Sequence, residues 1–382
     1  MTLSLQDRLD DVIDRALAEK RIVGAVVLVS HRGEPAYARA AGLADREAGR
    51  PMALDTVFRF SSVTKPIVAA SALALAERGS LPLDAPVSSF LPDFRPKLPD
   101  GRVPDITVGH LLTHTSGLSY GFLQPDGGPY LAAGVSDGMD QPDLSMDEEL
   151  KRLAGVDLFF PPGAAWNYSL GLDVLGAAMT KAAGKSLQEV LDETVLQPLG
   201  MGDTAFVAKD PGRLAKPYLD AQPEPRPMED PDISPFAELS GIRYAPSRTL
   251  RPASFPSGGA GMAGTAGDAL KLLETIRAGG APILTEATAA AALKNQIGEL
   301  PVTTHGPGWG FGHIGAVLLD PQAAGSSLNR NTVSWGGVYG HAWMIDVDHE
   351  TTAVSLTNTA IEGMAGVFPT ELNAAVAAAV RA

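Results

Sequence analysis

Strand-like segments lie near both ends of this 382-residue chain, and helical segments occupy much of the stretch between them. Near the N-terminus, residues 23–30 form a β-branched apolar run, and a turn at 31–34 separates it from a second run at 36–41, which predicts a β-hairpin. Strand signals return in the last third of the chain at four segments: 308–318, 332–335, 341–346 and 353–357. This distribution favours a discontinuous architecture in which both ends build one α/β layer.

We therefore predict an α/β domain made of residues 1–85 and 244–382, with a mostly helical insert domain at 86–243. A cleft between the two domains is the natural place for a ligand site. The helical character of the insert rests on three periodic apolar segments: 146–154, 172–183 and 187–195. Helices are also expected at both chain ends, over 1–20 and over 370–382.

The composition of the chain argues against several classes of binding partner and of chemistry. The net charge of −14 repels phosphate backbones and anionic lipid headgroups, so neither nucleic acid nor a membrane surface is an expected partner. The absence of cysteine excludes disulfides, thiolate metal sites and cysteine nucleophiles, and it fits a cytoplasmic location. Residues 1–20 have the spacing of a surface amphipathic helix rather than the apolar core of a signal peptide, and no window approaches the ~20 apolar residues of a membrane span.

A candidate nucleophile lies at the start of a predicted helix. The Ser-Val-Thr-Lys run at 62–65 stands between an extended stretch at 57–60 and an Ala- and Leu-rich helical stretch at 64–77. On a helical turn, Ser62 and Lys65 are neighbours. A lysine neutralised by burial accepts the serine proton, and a protonated one stabilises the alkoxide. The same run also arises by chance, with an ordinary serine at a helix start, so the motif alone is weak.

Two further segments carry residues suited to such a site. Tyr168 stands just before the helix at 172–183, where its phenol could enter a cleft and transfer protons if nearby cations lowered its pKa. Taken alone, a packing tyrosine with a satisfied hydroxyl is the plainer explanation. Gly336 and Gly337 end a strand, where they permit the close backbone approach that an oxyanion-binding amide requires. A strand followed by a tight turn explains these glycines equally well.

Two other patterns point to different chemistry. Residues 117–121 satisfy Gly-x-Ser-x-Gly, the nucleophile elbow of α/β-hydrolases, which needs a preceding strand and a following helix. Because residues 108–114 are helical in pattern and 122–129 are loop, we expect no elbow here. His110 and His114 share a helical face, but the glutamate of a zinc-protease helix is absent and no third ligand is suggested. We expect structural histidines and no metal.

Taken in order, the motifs at 62–65, 168 and 335–340 resemble those of penicillin-binding proteins and serine β-lactamases. Over nearly its whole length the chain is more similar to the family VIII carboxylesterases, the esterase branch with a class C β-lactamase-like fold. The likeness is carried by four segments: FRFSSVTKP at 58–66, LLTHTSGL at 111–118, YSL at 168–170 and WGGVYGH at 335–341. It implies a β-lactamase/transpeptidase-like fold, with an antiparallel sheet flanked by helices.

The resemblance also implies roles for matching positions. Ser62 would be acylated, and Lys65 and Tyr168 would share proton transfer, with the choice of general base between them left open. The backbone amides of Ser62 and Val338 would bind the oxyanion. Tyr120 would line the cleft, as a tyrosine near this point does in the resembling esterases.

Two polar residues are candidates for support of the site rather than for catalysis. Asp173 follows Tyr168 within about a turn and could orient the site, although a surface or capping aspartate is as plausible. His341 follows the glycine-bearing strand and is expected to lie near the oxyanion-binding amide without taking part in the reaction.

Two departures from the β-lactamase pattern favour a neutral substrate. Trp335 stands where β-lactamases carry the lysine of Lys-Thr-Gly, and Leu170 stands where they carry the asparagine of Tyr-x-Asn. The lost cation would have paired a substrate carboxylate, and the lost amide would have held an amide side chain. An apolar wall formed by these residues, together with Gly336 and Gly337, suits neutral esters.

The sequence therefore predicts a serine carboxylesterase that hydrolyses short-chain acyl esters through an acyl-enzyme on Ser62. The expected partner is a small-molecule ester, with no metal or organic cofactor, and the oligomeric state stays open. Alternatives on the same fold are a β-lactamase, a D-amino peptidase or an amide-oligomer hydrolase. A non-catalytic binding module is the alternative from a different class.

Overall fold

The computed structural model describes residues 4–381, which contain eleven α-helices and fourteen strands. The helices are α1 (Leu5–Ala18), α2 (Thr64–Glu77), α3 (Val108–Leu112), α4 (Pro129–Ala132), α5 (Met146–Ala154), α6 (Gly171–Ala183), α7 (Leu187–Leu191), α8 (Ala266–Arg277), α9 (Glu286–Ala292), α10 (Ala360–Ala365) and α11 (Val367–Val380). The strands are β1 (Gly24–His31), β2 (Glu34–Asp45), β3 (Arg50–Pro51), β4 (Phe58–Arg59), β5 (Tyr218–Leu219), β6 (Arg226–Pro227), β7 (Asp232–Ser234), β8 (Ile242–Tyr244), β9 (Ala263–Gly264), β10 (Trp309–Phe311), β11 (Ala316–Leu318), β12 (Val333–Gly337), β13 (His341–Asp346) and β14 (Thr351–Thr357).

Eight of these strands form one antiparallel sheet in the order β10-β11-β12-β13-β14-β1-β2-β3. The ends of the chain meet where β1 pairs with β14, with Val26 opposite Leu356. The predicted hairpin is the β1–β2 pair. The expectation of an antiparallel sheet built from both ends of the chain is thus confirmed. Helices α3 to α7 lie within residues 86–243, alongside two short strand pairs, while the domain boundaries themselves stay a prediction.

Helices cover both faces of the sheet. On one face, α1 and α11 pack together and bury Leu9, Ile13 and Phe368 against sheet residues such as Val27. Each fully buried side chain of this kind stabilises the fold by about 1.5–3 kcal/mol. On the other face, α8 contacts β1 and β14, and the larger apolar cluster extends from there into the helical part of the molecule.

Helix α2 is buried along nearly its whole length. Its residues from Thr64 to Leu75 are buried, and six of its fourteen residues are alanine or serine small enough to let α6 and α7 approach closely. A helix that is apolar on every side is expected in the interior rather than at the surface. The first turn of α2 consequently lies inside the molecule. It follows the short turn at Ser61–Val63, which contacts strand β12.

The C-terminal segment Ala360–Val380 is long and apolar enough to cross a membrane by length and composition, with a mean hydropathy of 1.2. The expectation that no window reaches this threshold was therefore wrong. The segment is divided into α10 and α11 at Gly366, where the backbone is extended. Phe368 and Leu372 pack on α1, so the apolar character of this segment has a structural use within the fold.

Candidate active site

Ser62 lies at the junction between strand β4 and helix α2. Strand β4 pairs with β9, and the chain then turns at Ser61, whose φ of +43° is uncommon for a residue with a side chain. Ser62 follows within a short 3₁₀ helix, Ser61–Val63, that runs directly into α2. Such a backbone conformation persists only where the surrounding structure imposes it. The amide of Tyr339 contributes to this by donating to the Ser61 hydroxyl at 3.3 Å.

The amine of Lys65 meets three oxygen atoms in the interior. It lies 3.2 Å from Ser62 Oγ, and it donates to the phenol oxygen of Tyr120 and to the carbonyl oxygen of Gly259, each at 2.8 Å. Burial lowers the pKa of Lys65 to about 7, because desolvation disfavours the ammonium form, and the charge of Asp173 opposes this shift. A large share of this amine is therefore neutral at physiological pH and able to accept a proton.

The phenol of Tyr168 contacts the same serine from another direction. Its hydroxyl donates to Ser62 Oγ at 2.6 Å, and its oxygen accepts from the indole Nε1–H of Trp335 at 3.1 Å. Burial raises the pKa of Tyr168, although the hydrogen bonds to Ser62 and Trp335 partly offset this effect. The phenol is consequently neutral in the resting site and acts as a proton donor.

These contacts fix one direction for the protons. An indole can only donate, so Tyr168 accepts from Trp335 and gives its own proton to Ser62 Oγ. The hydroxyl proton of Ser62 is then available to the lone pair of a neutral Lys65. The two N–H groups of that neutral amine serve Gly259 and Tyr120. In the ammonium form the third N–H of Lys65 donates to Ser62 Oγ, and loss of that proton leaves a lone pair facing the serine hydroxyl.

The end of strand β12 packs against the turn that precedes the nucleophile. A Cβ on Gly337 would lie 2.6 Å from Ser61 Oγ, so only glycine fits there. Val338 comes next and is 7% exposed. The hydrogen bonds found among residues 4–381 leave the amide N–H groups of Ser62 and Val338 without an acceptor. Two free N–H groups on segments that pack against each other suit the binding of an oxyanion.

His341 connects strand β13 to strand β4, which precedes the nucleophile. Its Nε2–H donates to the carbonyl oxygen of Arg59 at 2.7 Å, and its ring meets the Phe58 ring edge-on. Burial lowers the pKa of His341 to about 4, so the ring is neutral at physiological pH. Gly336 is close by, and a Cβ on it would lie 2.7 Å from the His341 carbonyl oxygen and from the side chain of Met364. Gly336 and Gly337 thus allow close packing of β12, and their contact with substrate stays a prediction.

Two residues predicted to line the cleft are buried. Leu170 is fully covered and belongs to the main apolar cluster, so the structure does not support its predicted contact with substrate. Its position at the start of α6 explains this, because the first turn of that helix packs on α3. Tyr120 is 1% exposed and stacks on Phe122, with its hydroxyl directed to Lys65. The sequence pattern gave no sign of this contact with the amine.

Aromatic rings extend from Tyr168 towards the surface. The Trp335 ring lies 4.9 Å from the Tyr168 ring, with Phe311 at 5.4 Å and His305 stacked at 5.0 Å on its other sides. Trp335 is half-buried and His305 is exposed, so these two form the outer part of this aromatic wall. His305 and Phe311 stand far from the recognised motifs, and sequence reasoning missed them for that reason. Such a wall favours neutral, apolar substrate groups.

The two patterns that pointed to other chemistry are structural. Ser119 is buried and its hydroxyl donates to the carbonyl oxygen of Tyr120, and it follows α3 rather than a strand, so no nucleophile elbow is formed. His110 caps α3 through Nδ1, and His114 accepts the backbone N–H of Ser169. Over the part of the chain that the structure describes, no group of three potential metal ligands exists.

A serine hydroxyl that contacts a buried lysine amine and a tyrosine phenol, beside two free amides, defines a serine hydrolase of the Ser-x-x-Lys type. The chain belongs to the beta-lactamase family, whose model, described as Beta-lactamase, matches residues 9–378. It is 53% identical to Esterase EstB of Burkholderia gladioli over 375 residues, which cover 98% of this chain and 95% of EstB.

Solved structures agree with this family assignment. EstCE1, described as a hydrolase with promiscuous acyltransferase activity, superposes with a TM-score of 0.94 at 45% identity, covering 97% of this chain and 98% of EstCE1. Simvastatin synthase LovD from Aspergillus terreus shares the fold, with a TM-score of 0.78 at 23% identity and 99% of both chains covered. These matches confirm the predicted fold class and the resemblance to the esterase branch.

Proposed function

We propose that this protein is a serine carboxylesterase that forms an acyl-enzyme on Ser62. The observation that carries the proposal is the pair of contacts made by Ser62 Oγ, 2.6 Å to the phenol of Tyr168 and 3.2 Å to the amine of Lys65. The names of two relatives matched over nearly their full length, an esterase and a hydrolase, support an ester as the substrate.

In acylation, neutral Lys65 removes the hydroxyl proton of Ser62 while Oγ attacks the ester carbonyl carbon. The negative charge that develops on the carbonyl oxygen is stabilised by the amides of Ser62 and Val338. Tyr168 gives its proton to the leaving alkoxide, the ester C–O bond breaks, and the alcohol departs. The Lys65 ammonium then returns a proton to the phenol, so the acyl-enzyme starts with the resting protonation state.

In deacylation, water takes the place of the alcohol. Lys65 accepts a proton from the water as its oxygen attacks the acyl carbon, and the same two amides stabilise the second oxyanion. The bond between the acyl carbon and Ser62 Oγ breaks, Tyr168 reprotonates the serine, and the Lys65 ammonium returns a proton to the phenol. The assignment of Lys65 as base and Tyr168 as acid rests on their opposite pKa shifts, to about 7 for the amine and upward for the phenol.

The proposed substrates are small neutral esters with short acyl chains. Trp335 supplies an aromatic face where a β-lactamase presents a cation, and His305 and Phe311 extend that face. A substrate carboxylate would find no charge partner on this wall, and the net charge of −14 repels it further. A cytoplasmic location, supported by the absence of cysteine, completes the proposal.

The direct test is an assay of p-nitrophenyl butyrate hydrolysis with Ser62→Ala and the matched control Ser119→Ala. We expect Ser62→Ala to lose activity by a factor of at least about 10³, and Ser119→Ala to keep it, because the Ser119 hydroxyl contacts only a backbone carbonyl among residues 4–381. Mass spectrometry after brief exposure to an ester panel should find the acyl group on Ser62. Full turnover by Ser62→Ala, or faster hydrolysis of nitrocefin than of the butyrate ester, would contradict the proposal.

Acyl transfer to alcohols is a second candidate activity. It is favoured by the aromatic wall of Trp335, Phe311 and His305, which offers an apolar surface to an alcohol, and by the activity stated in the description of EstCE1. An assay with vinyl butyrate and benzyl alcohol in water should then yield benzyl butyrate as well as butyric acid. Formation of the acid alone would exclude this activity.

A further inference from the structure

A buried carboxylate stands behind Lys65 and is connected to it through one peptide unit. Asp173 lies in the first turn of α6 and is 2% exposed. Its Oδ1 accepts hydrogen bonds from Ser257 Oγ at 2.5 Å and from the amide of Gly259 at 3.4 Å. The carbonyl of that same Gly259 accepts from Lys65 Nζ at 2.8 Å. Asp173 therefore accepts a hydrogen bond from Gly259, the same residue whose carbonyl oxygen accepts from the Lys65 amine.

The packing around Gly259 leaves little freedom for this connection. A Cβ on Gly259 would lie 2.5 Å from Asp173 Oδ2 and 2.8 Å from the hydroxyl of Tyr120. The carboxylate and the phenol thus both lie close to Gly259 on the side where a side chain would stand. Asp173 Oδ2 is buried and has no hydrogen-bond partner within residues 4–381, so the negative charge of the carboxylate is only partly compensated by hydrogen bonds. An interior charge in this state needs a cation nearby.

We propose that Asp173 is a positioning residue that holds Lys65 in place through Gly259 and stabilises the ammonium ion formed when Lys65 takes the proton of Ser62. The proposal rests on the proposed function, since it assumes that Lys65 is the base. The ion that forms during acylation is a positive charge inside the protein. A fixed negative charge nearby lowers the free energy of that state more than it affects the neutral amine.

The other charges in this region agree with the assignment. Burial raises the pKa of Asp173, and the hydrogen bond from Ser257 and the charges of Lys65 and Arg248 oppose that shift and favour the ionised form. Glu149 is a further buried carboxylate on this side, and burial raises its pKa to about 8, so it is largely uncharged near neutral pH. The phenols of Tyr120 and Tyr168 face Lys65 and stay neutral, because burial raises the pKa of both. Asp173 is thus the carboxylate that opposes the downward shift of the Lys65 pKa.

Two substitutions at one position separate charge from hydrogen bonding. Asp173→Asn keeps an oxygen that can accept from Ser257 and Gly259 but removes the charge, and Asp173→Ala removes both. The readout is the rate of Ser62 inactivation by a fluorophosphonate between pH 5 and pH 9, which reports the free enzyme without ester turnover. We expect Asp173→Asn to react about tenfold more slowly than the wild type. We also expect the acidic limb of its pH–rate profile to move to lower pH by about one unit. Asp173→Ala should be slower again.

Ser71→Ala is the matched control, because Ser71 lies on the same helix, α2, and its hydroxyl is hydrogen-bonded at 2.6 Å to Thr194 rather than to Lys65 among residues 4–381. Ser71→Ala should leave the acidic limb of the inactivation rate at its wild-type pH. An unmoved limb and a rate within twofold of wild type in Asp173→Asn would overturn the proposal. If Asp173→Asn does not fold, Ser257→Ala is the second test. Loss of the Ser257 hydroxyl destabilises the ionised form of Asp173, so the acidic limb of the inactivation rate must also move to lower pH.

Measurements on the wild-type protein distinguish a failure of the inference on Asp173 from a failure of the proposed function. If wild-type Ser62 reacts with the fluorophosphonate and hydrolyses the butyrate ester, the proposed function stands whatever Asp173→Asn does. If wild-type Ser62 fails both tests, the proposed function fails first, and the inference on Asp173 fails with it.

Discussion

The indole Nε1–H of Trp335 donates a hydrogen bond to the phenol oxygen of Tyr168, with 3.1 Å between the two atoms. The Tyr168 hydroxyl in turn donates to Ser62 Oγ at 2.6 Å. A tryptophan at this position therefore orients the proton of the phenol without adding a positive charge to the cleft. A lysine there would offer a cation to anionic substrates, so this single residue connects proton transfer with preference for neutral esters.

Trp335→Phe should lower kcat/KM for p-nitrophenyl butyrate about fivefold. The phenylalanine ring keeps contact with Tyr168 and Phe311 but cannot donate, and one neutral hydrogen bond is worth about 1 kcal/mol. Trp309→Phe is the matched control, because Trp309 contacts His305 and has no hydrogen bond to the phenol. Equal losses in the two variants would show that ring size, rather than the indole N–H, matters.

Tyr168→Phe should lower kcat by about 10²–10⁴, because the leaving alkoxide loses its proton donor. Thermal unfolding should show a much smaller effect than this loss of rate, since the ring and its aromatic neighbours remain. Tyr130→Phe provides the comparison, as Tyr130 is a second buried phenol whose hydroxyl accepts only the amide of Ser119 among residues 4–381. A Tyr168→Phe enzyme with wild-type kcat would assign the acid role to another group.

Patterns that depend on local periodicity were predicted well. The helices at 64–77 and 146–154 and the strand at 341–346 begin and end where the sequence placed them. The region 308–318 was predicted as one strand but forms two, β10 and β11, because Gly312 and Gly315 allow a tight reversal between them. Apolar alternation continues across that turn, so periodicity alone could not reveal it.

The central part of the site could also be predicted, because Ser62, Lys65 and Tyr168 stand in recognisable motifs, and the structure brings all three together. The surrounding residues could not. Gly259 reaches Lys65 across 194 positions of sequence, and the Ser-Gly-Gly run that carries it looks like any turn. Contacts of this kind depend on tertiary packing, which a single sequence does not display.

The pH dependence of kcat/KM should show an acidic limb near 7, with the rate rising as pH rises. Lys65 acts as a base only when neutral, and burial lowers its pKa to about 7. Below that pH the ammonium form predominates and the rate falls tenfold per unit. His341 has a pKa of about 4, well below this range, so its titration does not explain the limb.

Asp137 needs its own control, since burial and the charge of Asp140 raise its pKa to about 7 as well. Its carboxylate accepts the amides of Gly121 and Phe122, next to Tyr120. Asp137→Asn should keep the acidic limb if Lys65 produces it. Disappearance of the limb in Asp137→Asn would assign it to the carboxylate instead.

Phe368→Ala should destabilise the protein by about 3–5 kcal/mol, because it removes a fully buried ring between α11, α1 and the sheet. The adjacent Val367 is 51% exposed, so Val367→Ala should change the free energy of unfolding by no more than about 0.5 kcal/mol. Urea unfolding of the two variants measures this difference directly. Since α11 covers the sheet away from Ser62, the folded Phe368→Ala enzyme should keep its kcat for the butyrate ester. A mild effect equal to that of Val367→Ala would mean that α11 contributes little to the fold.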